Sequence, residues 1–231
     1  MRIVIFGANG LTGRLLTDQA LAAGHEVAAV TRRPGEFPSA HARLSVVEAD
    51  VLDAEAVDRA VEGADTVLST LGVPFTRKPI SVYSVGAENV VAAMSRRRVR
   101  RLAVVSSSAT EPHHHAEGGF FMNRLLQPMV TATIGKTTYQ DMRRMEAIVC
   151  GSDLEWTIVR PSGLFDSPEV TRYKLYENEA PGIFTSRPDL AACLLAQVSD
   201  TQFARKAVAV TTSEGAPTLF QMMRREAFKK D

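Results

Sequence analysis

The sequence predicts an α/β fold, a doubly wound parallel sheet forming a single domain over residues 1–231 with a small C-terminal substrate lid. Three observations carry this. Strand-like and helix-like patterns alternate along nearly the whole chain. An apolar N-terminal strand runs through a glycine-rich turn into a helix. At 231 residues and 45% hydrophobic side chains, the chain is long and apolar enough for one large core.

Each element has a local reason. Residues 3–6 (Ile3, Val4, Ile5, Phe6) are a short apolar run suited to a buried strand, and residues 11–23 repeat at helical spacing behind it. Further strand-like runs lie at 26–31, 44–48, 66–70, 102–106, 156–159 and 207–210, rich in β-branched residues and alanine. Helical patterns separate them at 54–61, 80–94, 137–150 and 188–198, the last starting on a proline as first turns allow. Strands joined through helices call for right-handed crossovers and a sheet covered on both faces. The one long irregular stretch, 109–135, follows the fifth strand, where such a sheet places an active-site loop; with 161–190 it is expected to supply the substrate side.

Composition excludes several classes. With 27 basic and 26 acidic residues, net +1, the chain offers no field to attract nucleic acid or an anionic membrane. No run reaches the roughly 18 apolar residues of a membrane span, and the chain opens on a core strand, not a signal peptide. Cys150 and Cys193 lie in apolar helical contexts and read as buried free thiols, so a cytoplasmic protein is expected. A small-molecule substrate, no nucleic-acid or membrane partner, and a monomer or weak homodimer complete these expectations.

The chemistry concentrates in the first turn. Gly7, Gly10 and Gly13 are spaced G-x-x-G-x-x-G between strand and helix. Gly7 permits the tight turn, Gly10 lets backbone N–H groups approach a pyrophosphate, and Gly13 lets the helix pack on the strand. The second strand ends in Thr31-Arg32-Arg33-Pro34. An NAD site places an acidic residue here, roughly 20 residues after the glycines, to hold the adenosine ribose. Two guanidinium groups instead fit a 2′-phosphate and argue for NADP(H), the alternative being a solvated pair before Pro34. At the third strand's end Asp50 can accept from the adenine amino group while Val51 covers the ring; equally, Asp50 or Asp53 can cap the helix that starts at Ala54. The small residues of Leu68-Ser69-Thr70-Leu71-Gly72 would let a cofactor lie across the strand tips.

Three other clusters are less productive. Adjacent His113, His114 and His115 cannot all face one ion, and no Cys or carboxylate cluster accompanies them, so no metal is expected and they sit on the substrate loop. The run Arg96 to Arg101 ends a helix, complements its dipole and reads as a solvated surface. Met142, Met145 and Val149 form an ordinary helix-core stripe.

With these residues placed, the chain resembles the atypical short-chain dehydrogenase/reductase superfamily, and within it the NAD(P)H-binding, NmrA-like and biliverdin reductase B (flavin reductase)-like group. GANGLTGR (7–14), TRRP (31–34), ADVLD (49–53), STLG (69–72), VVSSSA (104–109), DMRRME (141–146), WTIVRPSGL (156–164) and TSRPDL (185–190) carry the resemblance in order. It implies a Rossmann fold and NADP(H) as cofactor. It also implies roles: Gly7, Gly10 and Gly13 as the pyrophosphate loop with Asn9, Leu11 and Thr12 as its backbone donors, and Arg32 and Arg33 as 2′-phosphate readers. Asp50 and Val51 would meet the adenine, Leu71 and Gly72 the middle of the cofactor. Ser106, Ser107 and Ser108 would lie beside the nicotinamide, and Pro161, Ser162 and Gly163 at its carboxamide.

The superfamily's general acid is a Tyr in Y-x-x-x-K, whose Lys lowers the phenol pKa from about 10. This chain offers Tyr139-Gln-Asp-Met-Arg143, and a planar guanidinium does not replace a point ammonium in a tight pocket. Tyr139 is thus a candidate acid or a helix residue packed at the entrance; Ser107 and Ser108 are candidate donors to acceptor or nicotinamide, or plain capping serines. The function expected is an NADPH-dependent oxidoreductase passing a hydride to a small conjugated or aromatic acceptor of flavin, quinone or carbonyl type. The alternative is an NmrA-like NADP-binding redox sensor without turnover.

Overall fold

Strand alternation decides how the two faces of the sheet are covered. On β1 (Arg2–Phe6), Ile3 and Ile5 join one core with Leu16, Ala20, Leu190 and Leu194, while Val4 and Phe6 join the other with Val57, Val61, Tyr83, Val90 and Met145. The first core lies under α1 (Leu11–Ala22) and α5 (Arg187–Ala196), the second under α2 (Ala54–Val61), α3 (Val82–Arg97) and α4 (Lys136–Cys150). The computed structural model describes residues 1–76, 78–111, 119, 124, 129, 132–133, 135–179, 181–218 and 221.

The remaining strands are β2 (Glu26–Thr31), β3 (Leu44–Glu48), β4 (Thr66–Ser69), β5 (Arg101–Val105), β6 (Glu155–Pro161), β7 (Gly163–Phe165), β8 (Lys174–Glu177), β9 (Phe184–Ser186) and β10 (Lys206–Thr211). Among the described residues the main sheet has eight strands in the order β3-β2-β1-β4-β5-β6-β10-β8. All its neighbours are parallel except β8, which runs antiparallel to β10. The chain winds outward from β1 to β3, then returns to β4 on the other side of β1. That reversal places the carboxyl ends of β1 and β4 side by side, the switch point where open α/β sheets bind ligands.

The expected doubly wound, single-domain architecture is what the chain adopts. The sequence reading missed β7, β8 and β9, of three or four residues each, too short for a period to show. β7 and β9 pair in parallel as a separate ribbon beside the end of β6.

Two other expectations need correction. Arg101, in the run read as a solvated surface, is buried: its guanidinium donates to the Gln197 carbonyl (2.6 Å), the Glu155 carbonyl (2.6 Å) and Thr157 Oγ1 (2.8 Å). Burial among these neutral acceptors lowers its pKa from the usual arginine value. Of the exposed arginines in the run, Arg96 and Arg97 pair with Asp58 and Arg100 with Glu155. Cys193 is buried as expected and its thiol is pushed up to about 12 by burial, but Cys150, at the end of α4, is exposed.

α3 begins without a side-chain cap of its own, and α4 supplies one. The buried Asp141 carboxylate accepts from the Tyr83 N–H (2.9 Å) and the Ser84 hydroxyl, so the two helices are locked together through a borrowed cap. Among the described residues no helix is long and apolar enough to cross a membrane, and no cluster of His, Cys, Asp and Glu has metal-binding geometry. The three histidines 113–115 lie outside the described residues, as does most of 109–135.

Candidate cofactor and acceptor site

The glycine turn leaves the tip of β1. Gly7 has φ +75°, a left-handed conformation costly for other residues, and a Cβ there would lie 2.7 Å from the Thr70 carbonyl oxygen. A Cβ on Gly13 would lie 2.3 Å from the Gly7 carbonyl oxygen. Both glycines are therefore demanded by the protein's own packing. Gly10 differs. It is exposed, has an ordinary φ of −74°, and a Cβ there meets only the Gly7 carbonyl oxygen, at 3.3 Å. The space kept clear at Gly10 faces outward, where a ligand would approach.

α1 starts at Leu11 with no side-chain cap and no acidic residue in its first turn. The N–H groups of Leu11 and Thr12 thus belong to a helix end that favours an anion. Two residues that sequence reasoning passed over shape this turn. Thr70, just past β4, donates its hydroxyl to the Phe6 (3.1 Å) and Gly7 (3.2 Å) carbonyls, tying the turn to the neighbouring strand. Arg14 in α1 is braced by Asn9, its Nε donating to the backbone oxygen and its Nη2 to Oδ1 (2.8 Å), which sets a positive charge beside the turn. The arginine in GANGLTGR was the available signal.

At the end of β2, Arg32 is exposed and pairs with no described carboxylate, whereas Arg33 is paired with Glu36 at 3.1 Å. That pair is solvent-exposed on both sides and worth no more than about 1 kcal/mol, so Arg33 is free to exchange partners. Beyond β3, Asp53 caps α2, accepting from the Glu55 and Ala56 N–H groups (2.9 and 3.1 Å). Asp50 accepts from the Leu52 N–H and remains partly exposed. Val51 is buried: its side chain abuts Gly86 of α3, and Asn89 holds its carbonyl. After β4, Leu71 packs on the core while Gly72 is exposed beside open space.

Ser106, at the tip of β5, is buried, and its Oγ has no hydrogen-bond partner among the described residues. Ser107 follows, its Oγ capping the Ser108–Thr110 helical turn by accepting from the Ala109 N–H (3.2 Å). Ser108 is buried in that turn. Tyr139 of α4 is buried at this place, with its phenol facing the Ser107 side chain. Burial raises the phenol pKa above its usual value, with the Ser107 hydroxyl acting in the opposite direction. Arg143 does not stand in for the missing ammonium: its Nε donates to the Thr110 carbonyl at 2.6 Å.

Pro161 ends β6 and Gly163 starts β7. Between them Ser162 donates its hydroxyl to the Gly182 carbonyl (3.1 Å) and its N–H to Thr185 Oγ1 (3.0 Å), which fixes the turn against β9. Beneath it, Arg160 is buried, gripping Glu146 of α4 through Nε (3.0 Å) and Nη2 (2.8 Å) and Glu111 through Nη1 (2.7 Å). These bonds secure the strand end to the helix that carries Tyr139.

The arrangement fits a dinucleotide. It combines a glycine cradle with one outward vacancy, an uncapped helix start, arginines where an NAD site has a carboxylate, and an orphaned buried hydroxyl two strands away. Comparison with known proteins agrees: residues 7–201 match the model of a family described as NAD(P)H-binding. Among curated relatives, an uncharacterized protein of Mycobacterium tuberculosis H37Rv is 40% identical over 96 residues, 41% of this chain and 11% of that protein. Among solved structures, a wide-type short-chain dehydrogenase/reductase of Veillonella parvula in complex with NADP superposes with a TM-score of 0.76 at 22% identity, covering 92% of this chain and 95% of that one. An anaerobillin reductase of Escherichia coli O157:H7 gives 0.71 at 19% identity, covering 94% and 100%. At these identities the structural likeness establishes the fold.

Proposed function

Because the chain belongs to the NAD(P)H-binding family, we propose that it is an NADPH-dependent oxidoreductase that reduces a small conjugated or aromatic acceptor. The observation that carries this reading is the buried, unpartnered Ser106 hydroxyl beside the Ser107-capped turn, at the carboxyl edge of the sheet on which the glycine turn also lies. Bound NADPH would supply a hydride, and the acceptor would gain that hydride together with one proton taken from water. The chain's residues would act mainly by positioning. Leu11 and Thr12 N–H groups hold the pyrophosphate, Arg32 and Arg33 the 2′-phosphate, and the Ser107 hydroxyl polarises the acceptor. Tyr139, neutral and raised in pKa, orients Ser107 and gives up no proton.

This assignment of Tyr139 has a kinetic consequence. Tyr139→Phe is expected to keep turnover within about tenfold of the parent, since a working general acid is worth about 10²-fold or more. Ser107→Ala is expected to cost more than Tyr139→Phe. Turnover is read from loss of dihydronicotinamide absorbance with flavins, quinones and aldehydes as acceptors. A hundredfold loss in Tyr139→Phe with NADPH affinity intact would make Tyr139 the acid after all.

One observation favours a second reading, an NADP-binding regulatory module. Arg143 is engaged at the Thr110 carbonyl, so it does not serve Tyr139 as an activating cation. Tight NADPH binding with no turnover on any of those acceptors would support that module over the enzyme.

A further inference from the structure

The guanidinium of Arg14 is held by a single residue of the glycine turn. Its Nε donates to the Asn9 backbone oxygen and to Asn9 Oδ1 (3.0 Å each), and its Nη2 donates to the same Oδ1 at 2.8 Å. Three bonds fix the planar group in place, yet both acceptors are neutral and leave its charge uncompensated. It pairs with no described carboxylate.

Where that charge faces follows from two further contacts. β1 and β2 are parallel neighbours with Phe6 opposite Val30, so the chain leaves β1 at Gly7 beside the point where it leaves β2 at Thr31. Asp18, one helical turn beyond Arg14 on the same face of α1, accepts from the Ser39 hydroxyl (3.4 Å), and Phe37 packs on the core that α1 covers. The face of α1 that carries Arg14 is therefore turned towards the segment that opens with Arg32 and Arg33. Three guanidinium groups gather at this end of the two strands. The described acids facing them are Glu36, which holds Arg33, and Asp18, which holds Ser39. A phosphate monoester, carrying about −1.5 to −2 at neutral pH, matches such an excess of positive charge. The pyrophosphate is a diester and is already served by the Leu11 and Thr12 N–H groups at the helix start.

Building on the NADP(H) reading above, we propose that Arg14 is a third reader of the 2′-phosphate, meeting it from α1 while Arg32 and Arg33 approach from the end of β2. Arg14 is the preorganised member of the three, because Asn9 already fixes it, whereas Arg33 must first leave Glu36.

Calorimetric titration of the parent, Arg14→Gln, Arg14→Lys and Arg32→Ala with NADPH and with NADH tests this. Arg14→Gln is expected to weaken NADPH binding about fivefold, the scale of a partly exposed charge pair, and NADH binding by less than about twofold. Its melting temperature should stay near the parent's. Arg14→Lys keeps the charge without the planar fork and should lose only about twofold with NADPH. An equal loss for both cofactors in Arg14→Gln would overturn the proposal, by placing Arg14 at the pyrophosphate or in the frame of the turn. An NADPH preference left whole by Arg14→Gln but abolished by Arg32→Ala would also overturn it, while the cofactor reading stood. A preference that falls in Arg14→Gln and not in Arg32→Ala would keep Arg14 and remove the assignment at the end of β2. A parent without any preference for NADPH would take down both.

Discussion

Gly10→Val is expected to abolish NADPH binding while leaving the fold intact, and Gly13→Val to do the reverse damage by unfolding the protein. The two positions look equivalent in the sequence but differ in what surrounds them. A Cβ at Gly13 would overlap the Gly7 carbonyl oxygen at 2.3 Å and approach Ala8 Cα at 2.7 Å, all backbone that cannot step aside. Such overpacking costs about 3 kcal/mol or more, a large share of a typical domain's stability. At Gly10 the backbone is ordinary, and a shift of a few tenths of an ångström relieves the 3.3 Å contact. The branched valine side chain then occupies the outward space into which a pyrophosphate must descend. Calorimetric titration should show NADPH affinity down about 100-fold or more in Gly10→Val, with a melting temperature near the parent's. Normal binding by Gly10→Val would mean the clamp lies elsewhere.

Glu146→Ala should be among the most destabilising single changes in the chain. Its carboxylate meets two nitrogens of buried Arg160 and accepts from the Thr110 hydroxyl (3.2 Å). Removal leaves the guanidinium, whose side chain is 7% exposed, with Glu111, itself 62% exposed, as its remaining carboxylate partner among the described residues. Burial works against the Arg160 charge, but the hydrogen bonds it donates to Glu146 and Glu111 more than compensate and raise its pKa, so it stays charged and must be satisfied. Breaking such a pair from one side costs about 3–5 kcal/mol. The double variant Glu146→Leu/Arg160→Met should regain most of this loss, because it removes both charges together. Urea unfolding checks it; a Glu146→Ala loss below about 1 kcal/mol would show the pair to be solvated in practice.

The glycine turn was legible because its residues are dictated by backbone geometry, which acts over a few positions and leaves a fixed spacing. The alternation of strands and helices was legible for the same reason, since periodicity is local. What escaped depends on contacts between distant segments. Arg101 is buried because the carbonyls of Glu155 and Gln197 arrive around it from β6 and from the end of α5, and nothing in the string of arginines from 96 to 101 marks which of them faces inward. Asp141 caps a helix that begins at Val82, and Thr70 clamps a turn that begins at Gly7. Tyr139 and Ser107 were each singled out from the sequence, but that they face one another follows from how α4 packs against the turn after β5.

The end of β2 decides which cofactor binds. If Arg32 and Arg33 read a 2′-phosphate, two charge-assisted contacts are lost with NADH, about 2 to 4 kcal/mol, or a factor of tens to hundreds in affinity. Calorimetric titration of the unmodified protein with NADPH and with NADH measures this directly. The account predicts NADPH tighter by that factor, with Arg32→Ala removing most of the difference. Equal affinity for the two cofactors would contradict it.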